Sequence, residues 1–504
     1  MVGTIGDVVI TNDGATIMKE MDVQNPAAKM LVEVAKTQDS EVGDGTTTAV
    51  VLAGELLAGA ESLLDREVHP NVIADGYREA AEKSLQILDD LAVNIKPDDV
   101  ETLKNIALTS LNTKGIFGSQ EHFADLAVQA VTKMMEKSPG KEGKITADID
   151  LVKVMKKHGQ SLAETALING IVIDKEASHS QMPKRVEDAK IALLNAKMEI
   201  EKTEFNAEIR ISRPEEMHLF LQEEESLLQK MVEEVEKTGA NVLFVQSGID
   251  DQALALLAKK QILAVKNVSS DDMEKLAKAT GATIVGLVKD LTKSALGQAG
   301  LVEEVKIGDD KLTFVRNAKN PKAVTIMIRG GSEHVIDEAE RSLHDALCVV
   351  RNAVEDGKIV AGGGAPEAEL AKRLKEYARK VEGRKQLAVT AFAEALEAIP
   401  VAIAQNAGIN PIDIMVELRA KHNSPTNKWF GVDVYEGEPA DMWKQNVIEP
   451  LRVKKQVIKS ATEAVTMLLR VDDVIASKGG EPMPGGPAGG MPPGGMPPGM
   501  MGGM

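Results

Sequence analysis

At 504 residues the chain is too long for one ordinary hydrophobic core, and its length points to about three domains. Hydrophobic residues make up 43% and aromatics only 3%, so Ala, Val, Ile, Leu and Met must fill the interior and no aromatic platform for stacking bases is on offer. The charge balance, 59 basic against 77 acidic residues for a net of −18, speaks against a nucleic-acid partner and suits solubility or a charged wall.

Along the chain, Val8-Val9-Ile10-Thr11, the turn residues Asn12-Asp13-Gly14 and Ala15-Thr16-Ile17-Met18 predict a hairpin. Pro26 opens a helix to about Gln38, Gly43 and Gly45 interrupt, and a long helix runs from Thr46 through Leu57 and Leu64. More helix follows Pro70 to about Leu91, and residues 96–163 read as mostly helical, broken at Asn112-Thr113-Lys114-Gly115. Ile171-Val172-Ile173 and Ile191-Ala192-Leu193-Leu194 are short buried strands. Ser212-Arg213-Pro214-Glu215 carries a helix start, with Ser as cap, Pro early and Glu three residues on. Met217, Phe220, Leu221, Leu228, Met231 and Val235 follow near helical spacing, with Glu223, Glu224 and Glu225 interrupting the apolar face.

From residue 241 the pattern alternates: strands 241–245, 262–265 and 283–285 around helices 250–260 and 271–280. That spacing predicts a parallel α/β layer. From about 334 to Arg419 the chain is predicted helical through Asp345 and Gly363, then Val432-Asp433-Val434-Tyr435 reads as a strand and 450–468 as a last helix. Residues 479–504, a Gly/Pro/Met tail with the theme Gly-Gly-Met-Pro-Pro, are expected to be disordered.

A single cysteine, Cys348, forbids an internal disulfide and fits a reducing cytoplasm. Its apolar run Ala346-Leu347-Cys348-Val349-Val350 argues for packing rather than nucleophilic use. The eight histidines show no metal-ligand spacing. No signal-peptide pattern and no uninterrupted apolar run of about twenty residues is present, so no membrane partner is expected.

The chemistry gathers in Val42-Gly43-Asp44-Gly45-Thr46-Thr47-Thr48. A helix start after a glycine turn offers free N–H groups and a dipole to phosphate. Asp44 at its mouth can hold a cation against phosphate oxygens, as Mg²⁺ takes one or two carboxylates plus phosphates; it can equally be a capping Asp in a tight turn. No Walker A sequence and no complete G-x-G-x-x-G after a strand occurs, which disfavours P-loop and Rossmann folds. Asp13 in a turn and Asp345 beside His344 on a helix are each ordinary, although phosphoryl hydrolysis needs such carboxylates to handle water. Gly362-Gly363-Gly364 is either a second close approach to a ligand or a flexible corner.

Taken together, Val9–Ile17, Val42–Thr48, Thr109–Lys114, Asp272–Ala282, Ile359–Gly364 and Val447–Lys454, in this order from Met1 to the tail, resemble the group II chaperonins of the thermosome type. The resemblance implies a multidomain α+β chaperonin fold. It has a helical equatorial domain (1–95 and 354–478), a small intermediate domain (96–163 and 317–353) and an α/β apical domain (164–316) whose helical protrusion near 205–235 serves as a lid. It also implies an ATP-dependent, cytoplasmic chaperone that encloses non-native polypeptides in a stacked double ring of self or paralogous subunits, with ATP and Mg²⁺ as cofactors. By the same resemblance Asp44 is the Mg²⁺ ligand, Gly45, Thr46, Thr47 and Thr48 cradle phosphate, and Asp13 and Asp345 handle the attacking water. Asn112, Thr113 and Lys114 form a nucleotide-sensing loop, and Gly363, Glu449 and Lys454 lie round the ribose and base. Met217, Phe220, Leu221 and Leu227 offer the apolar surface of the lid.

In this family a few dozen residues precede the point where Met1 stands, including a further phosphate-gripping loop. Two competing expectations follow: a chaperonin-like holdase ring with poor ATPase activity, and an unrelated Mg²⁺-dependent phosphohydrolase built on the aspartates.

Overall fold

The computed structural model describes residues 1–2, 8–116, 118–137, 145–200, 214–318 and 323–473, and of 214–221 the backbone only. Four helices open it: α1 (Gly14–Glu20), α2 (Pro26–Val42), α3 (Thr46–Asp65) and α4 (Pro70–Leu91). The predicted hairpin is overturned at the first of them. Asp13 accepts the N–H groups of Ala15 and Thr16 and caps a helix; the short carboxylate that favours a turn serves equally well as an N-cap.

Strand β1 (Val93–Asn94) leads to α5 (Val100–Leu111) and α6 (Gln120–Met134). Beyond Met134 the mostly helical expectation for 96–163 fails. β2 (Met135–Lys137) pairs with β3 (Ile145–Ala147), and β4 (Val152–His158) enters a large sheet, where pairing to a distant strand outweighs the local pattern.

β5 (Ala166–Ile173), β6 (Arg185–Leu194), α7 (Pro214–Thr238), β7 (Val242–Val245), α8 (Asp251–Lys259), β8 (Leu263–Val265), α9 (Ser270–Thr280) and β9 (Ile284–Val285) follow the predicted alternation. The cap expected at Ser212 lies outside the described residues, as do the side chains of Met217, Phe220 and Leu221. β6, β7 and β8 run parallel, and β9 joins β6 in parallel. The antiparallel pair β10 (Gly297–Ile307) and β11 (Asp310–Ala318), with β12 (Val324–Gly330), makes the sheet mixed. Among the described residues it has nine strands, ordered β4-β12-β5-β11-β10-β6-β7-β8 with β9 beside β6. Along β7 the side chains alternate. Leu243 and Val245 pack with Leu228, Val232 and Val235 of α7, whereas Val242 and Phe244 pack with Met273 and Leu276 of α9. A strand apolar on both faces is thus covered by helices on both.

α10 (Glu333–Asp356) is followed by β13 (Lys358–Ala361), a strand inside the predicted helical run, and then by α11 (Ala365–Ala378), α12 (Lys385–Asn406) and α13 (Pro411–His422). β14 (Phe430–Val432) ends before Val434 and Tyr435, because Asp433 accepts the N–H groups of Tyr435 and Glu436 and turns the chain. β15 (Pro439–Asp441), β16 (Ile448–Pro450) and α14 (Leu451–Leu468) complete the order. The predicted disordered tail lies outside the described residues.

α3, α4, α11, α12 and α14 share a core that includes Leu52, Tyr77, Leu374, Phe392 and Val457. α5, α6 and α10 share another with β12, through Leu103, Phe123, Leu343 and Ile326. α3 and α12 are long and apolar enough to cross a membrane by length and composition; here each packs against the other and against α4 or α14 within the first core. The short sheet β1-β13-β16 sets the end of β13 beside β16, which positions the second half of the site.

Candidate active site

Two glycines build the turn between α2 and α3. Gly43 (φ 73°) ends α2 with its N–H on the Asp39 carbonyl at 2.8 Å, and Gly45 (φ 76°) precedes α3. Both occupy the left-handed region that glycine enters without strain. Between them Asp44 accepts the Gly45 N–H at 2.7 Å, and the buried Gln38 donates to the Asp44 carbonyl at 2.8 Å. No side chain caps α3, so the N–H groups of its first turn, at Thr46, Thr47 and Thr48, are left for an anion.

The start of α1 reaches the same mouth. A methyl group at Gly14 would lie 2.4 Å from Thr47 Oγ1 and 2.9 Å from Thr47 N. Asp13, immediately before it, also accepts the Thr16 hydroxyl at 2.6 Å. Burial alone would raise the Asp13 pKa. The hydrogen bonds from Thr16 and Ala15 and the charge of Lys114 outweigh it and hold the carboxyl below its usual range.

Lys114, just beyond α5, donates to Asp345 of α10 at 2.5 Å, and both side chains are buried. Asp345 is therefore not on a solvated helix face. Burial raises its pKa well above the usual carboxylate range, and the charges of Asp44 and Asp13 push the same way against Lys114. Burial would lower Lys114, but the carboxylates of Asp44, Asp345 and Asp13 keep its ammonium firmly charged. Three carboxylates against one ammonium leave excess negative charge at the mouth of two helix starts. Cys348 packs at Gly43, where a methyl would strike its Cβ at 2.3 Å, and burial pushes its thiol up to about 12. That is a packing thiol, not a nucleophile.

A second cluster adjoins through α14. Val453 Cγ1 lies 3.0 Å from the methyl position at Gly45. The next residue, Lys454, is buried, with its ammonium 2.9 Å from Glu367 Oε1 of α11 and 2.9 Å from Glu449 Oε2 of β16. A methyl at Gly362, past the end of β13, would meet Glu449 Oε1 at 2.7 Å. Gly364 leaves α11, like α3, without a side-chain cap. Burial raises the Glu449 carboxyl and Asp44 adds to the shift, so the two clusters are within electrostatic reach.

Of the residues singled out in the sequence, Asp13, Asp44, Gly45, Thr46, Thr47, Lys114 and Asp345 come together, with Thr48 on the same first turn. Glu449 and Lys454 adjoin them. Asn112 and Thr113 stay exposed at the end of α5, and the Thr113 carbonyl accepts from the Asn12 side chain at 3.4 Å. Gly363 supports β14, its carbonyl accepting the Val432 N–H at 2.9 Å, and it is Gly362 that abuts Glu449. Leu227, exposed on α7, belongs to the element packed on the large sheet. Sequence reasoning missed Gly14, Gln38 and Glu367. Gly14 carried a signal, a glycine directly after a capping Asp; Gln38 and Glu367 look like ordinary helix residues until the fold buries them.

Residues 1–479 match the sequence profile of the TCP-1/cpn60 chaperonin family. The chain is 56% identical over 478 residues to a thermosome subunit of Methanopyrus kandleri, which covers 95% of this chain and 87% of that one. It is 57% identical over 480 residues to a thermosome subunit of Pyrococcus abyssi, covering 95% and 86%. Among solved structures, the open-state monomer of a group II chaperonin from Methanococcoides burtonii has a TM-score of 0.65 at 45% identity, over 85% of this chain and 100% of that one. The profile spans residues 1–479 and the two relatives cover 95% of the chain at 56% and 57% identity: the chain belongs to the TCP-1/cpn60 chaperonin family.

Proposed function

We propose that the assembled aspartates hydrolyse ATP and that this hydrolysis drives the enclosure and folding of non-native polypeptides. As a chaperonin the chain is an ATP-dependent chaperone and an ATPase. The observation that carries the assignment of parts is the buried Lys114–Asp345 pair, set with Asp13 and Asp44 beside the uncapped start of α3. The N–H groups and hydroxyls of Gly45, Thr46, Thr47 and Thr48 take the polyphosphate. Asp345, with its raised pKa, is suited to accept a proton from the attacking water, and Asp13 helps to hold that water. Lys114 limits the repulsion between these carboxylates and phosphate and, with Asn112 and Thr113, forms the loop that senses the nucleotide. Gly363, Glu449 and Lys454 lie toward the ribose and base.

Among the described residues no three His, Cys, Asp or Glu side chains converge as a ready metal cage. Mg²⁺ needs none, since it binds through one or two carboxylates and substrate phosphates. The excess negative charge and Asp44 at the mouth fit it, and when bound it would spread the charge developing on phosphate.

The division into equatorial (1–95, 354–478), intermediate (96–163, 317–353) and apical (164–316) domains is supported by the separate cores around Tyr77, Phe123 and Phe244. A stacked double ring is proposed, in the cytoplasm, with the protrusion near 205–235 as its lid. Archaeoglobus fulgidus has thermosome subunits named alpha and beta, which supports paralogous partners as well as self-association. The holdase reading has no observation in its favour, because Asp13, Asp44, Lys114 and Asp345 are assembled. The family match displaces the unrelated phosphohydrolase. The test is refolding of a chemically unfolded protein by the purified chain, with ATP and with a non-hydrolysable analogue. Recovery is expected with ATP alone, and equal recovery with both would overturn the coupling.

A further inference from the structure

The cluster behind Gly362 is a relay of graded exposure. The Glu449 side chain keeps 23% of its surface and stands against the glycine turn, while those of Lys454 and Glu367 keep only 9% and 4%. Glu449 is thus the member that a ligand can touch, Lys454 stands behind it, and Glu367 stands behind Lys454. A lysine has a flexible four-carbon stem, and with one partner its ammonium is free to swing. Here it is gripped from two sides at 2.9 Å, by Glu449 Oε2 and Glu367 Oε1. The other Glu367 oxygen, Oε2, is buried without a hydrogen-bond partner among the described residues, so Lys454 is the group that answers the Glu367 charge. Burying an extra carboxylate is costly and poorly suited to adding stability. Glu367 also sits on the first turn of α11, directly after Gly362-Gly363-Gly364, so one helix start fixes both the glycine turn and the carboxylate behind it.

We infer that Glu367 is a positioning residue for the nucleoside end of the bound nucleotide, acting through Lys454 to hold the Glu449 carboxylate as an acceptor for ligand hydroxyl or amino groups. The inference rests on the nucleotide reading above and adds to it a residue that touches no ligand. The test uses the full chain and calorimetry with two probes in Mg²⁺, ATP and inorganic triphosphate, which share the phosphate cradle but not the nucleoside. Glu367→Gln is expected to weaken ATP about tenfold or more, the scale of one charge-assisted hydrogen bond, and to leave triphosphate affinity unchanged. On a Glu449→Gln background the same change is expected to add nothing, because its effect passes through Glu449. Should Glu367→Gln fail to fold, Glu367→Asp, which keeps the charge but shortens the reach to Lys454, is read in the same way. Unchanged ATP affinity, an equal fall for both probes, or additive losses in the double variant would overturn the inference while leaving the site intact. If the parent binds neither probe, the nucleotide reading falls and takes the inference with it.

Discussion

Lys114 and Asp345 stand 231 positions apart and meet in a buried ion pair of 2.5 Å. The pair joins the end of α5 to the middle of α10 and faces the turn that holds Asp44. Its neighbours explain its chemistry: Asp44 and Asp13 keep Lys114 charged and oppose the charge on Asp345. A carboxylate held above its usual pKa is a better proton acceptor than a free one.

Asp345→Asn keeps an acceptor for Lys114 and removes the base. Hydrolysis at saturating ATP is expected to fall about a hundredfold or more, the usual size of a general-base contribution, while ATP still binds. In the parent only ionised Asp345 accepts the proton, so the rate should fall as pH drops through its raised pKa. That acid limb should vanish in the variant. Single-turnover phosphate release across pH measures both, and a variant running at the parental rate would end the assignment.

Asp13 carries a pKa shift of the opposite sign, and it reads out in stability rather than in rate. Its folded pKa is below the unfolded value, so its ionised form favours the folded state. That stability is complete above the ordinary carboxylate pKa of about 3.9 and is lost as pH falls through the lowered folded value. Asp13→Asn retains a good helix cap and removes the ionisation. Urea melts should show a deficit near neutral pH that closes as the parent is acidified below about pH 4. A deficit constant with pH would show that the hydrogen bonds from Thr16 and Ala15 do not favour the charged form.

Gly14→Ala tests the meeting of the two helix starts. The new methyl would lie 2.9 Å from the Thr47 backbone nitrogen, and backbone cannot step aside as a side chain can. ATP affinity is expected to fall by about tenfold or more, one lost phosphate hydrogen bond being enough. Calorimetry reads the affinity, and an unchanged value would place the polyphosphate elsewhere.

What the sequence made legible was what lies within a few residues. Gly43-Asp44-Gly45 followed by threonines reads as a helix start, and β7, α8, β8 and α9 announce themselves by period and spacing. Asp13 misleads because Asn-Asp-Gly serves turns and caps alike. β4 misleads because its pairing is settled by a distant partner, β12, whereas β2 and β3 pair with each other and are simply too short to break the helical reading. The Lys114–Asp345 pair and the Glu367–Lys454–Glu449 relay are invisible locally, since each joins segments that only the closed fold brings within 3 Å. The resemblance picks out Lys114, Asp345, Glu449 and Lys454 one by one, and the folded geometry shows that they meet and adds Glu367.

The last prediction separates packing from interaction on α7. Leu227 and Leu228 are neighbours in sequence, but Leu227 is 41% exposed and Leu228 only 2%. Leu228 packs with Val232, Val235 and Leu243 against the large sheet, so Leu228→Ala should cost about 2–5 kcal/mol. Leu227 makes no part of that core. Leu227→Glu should leave stability within about 0.5 kcal/mol of the parent and leave ATP hydrolysis intact. If α7 belongs to a lid whose apolar surface meets its neighbours on closure, Leu227→Glu places a charge at that seam, beside the run Glu223-Glu224-Glu225. The chamber should then close poorly. The measurement is protease protection of an unfolded polypeptide trapped in the presence of ATP, with Leu228→Ala as the control for fold stability. Reduced protection at unchanged stability supports the lid. Full protection in Leu227→Glu would mean that the exposed leucine lies away from the seam and that closure relies on other parts of the protrusion.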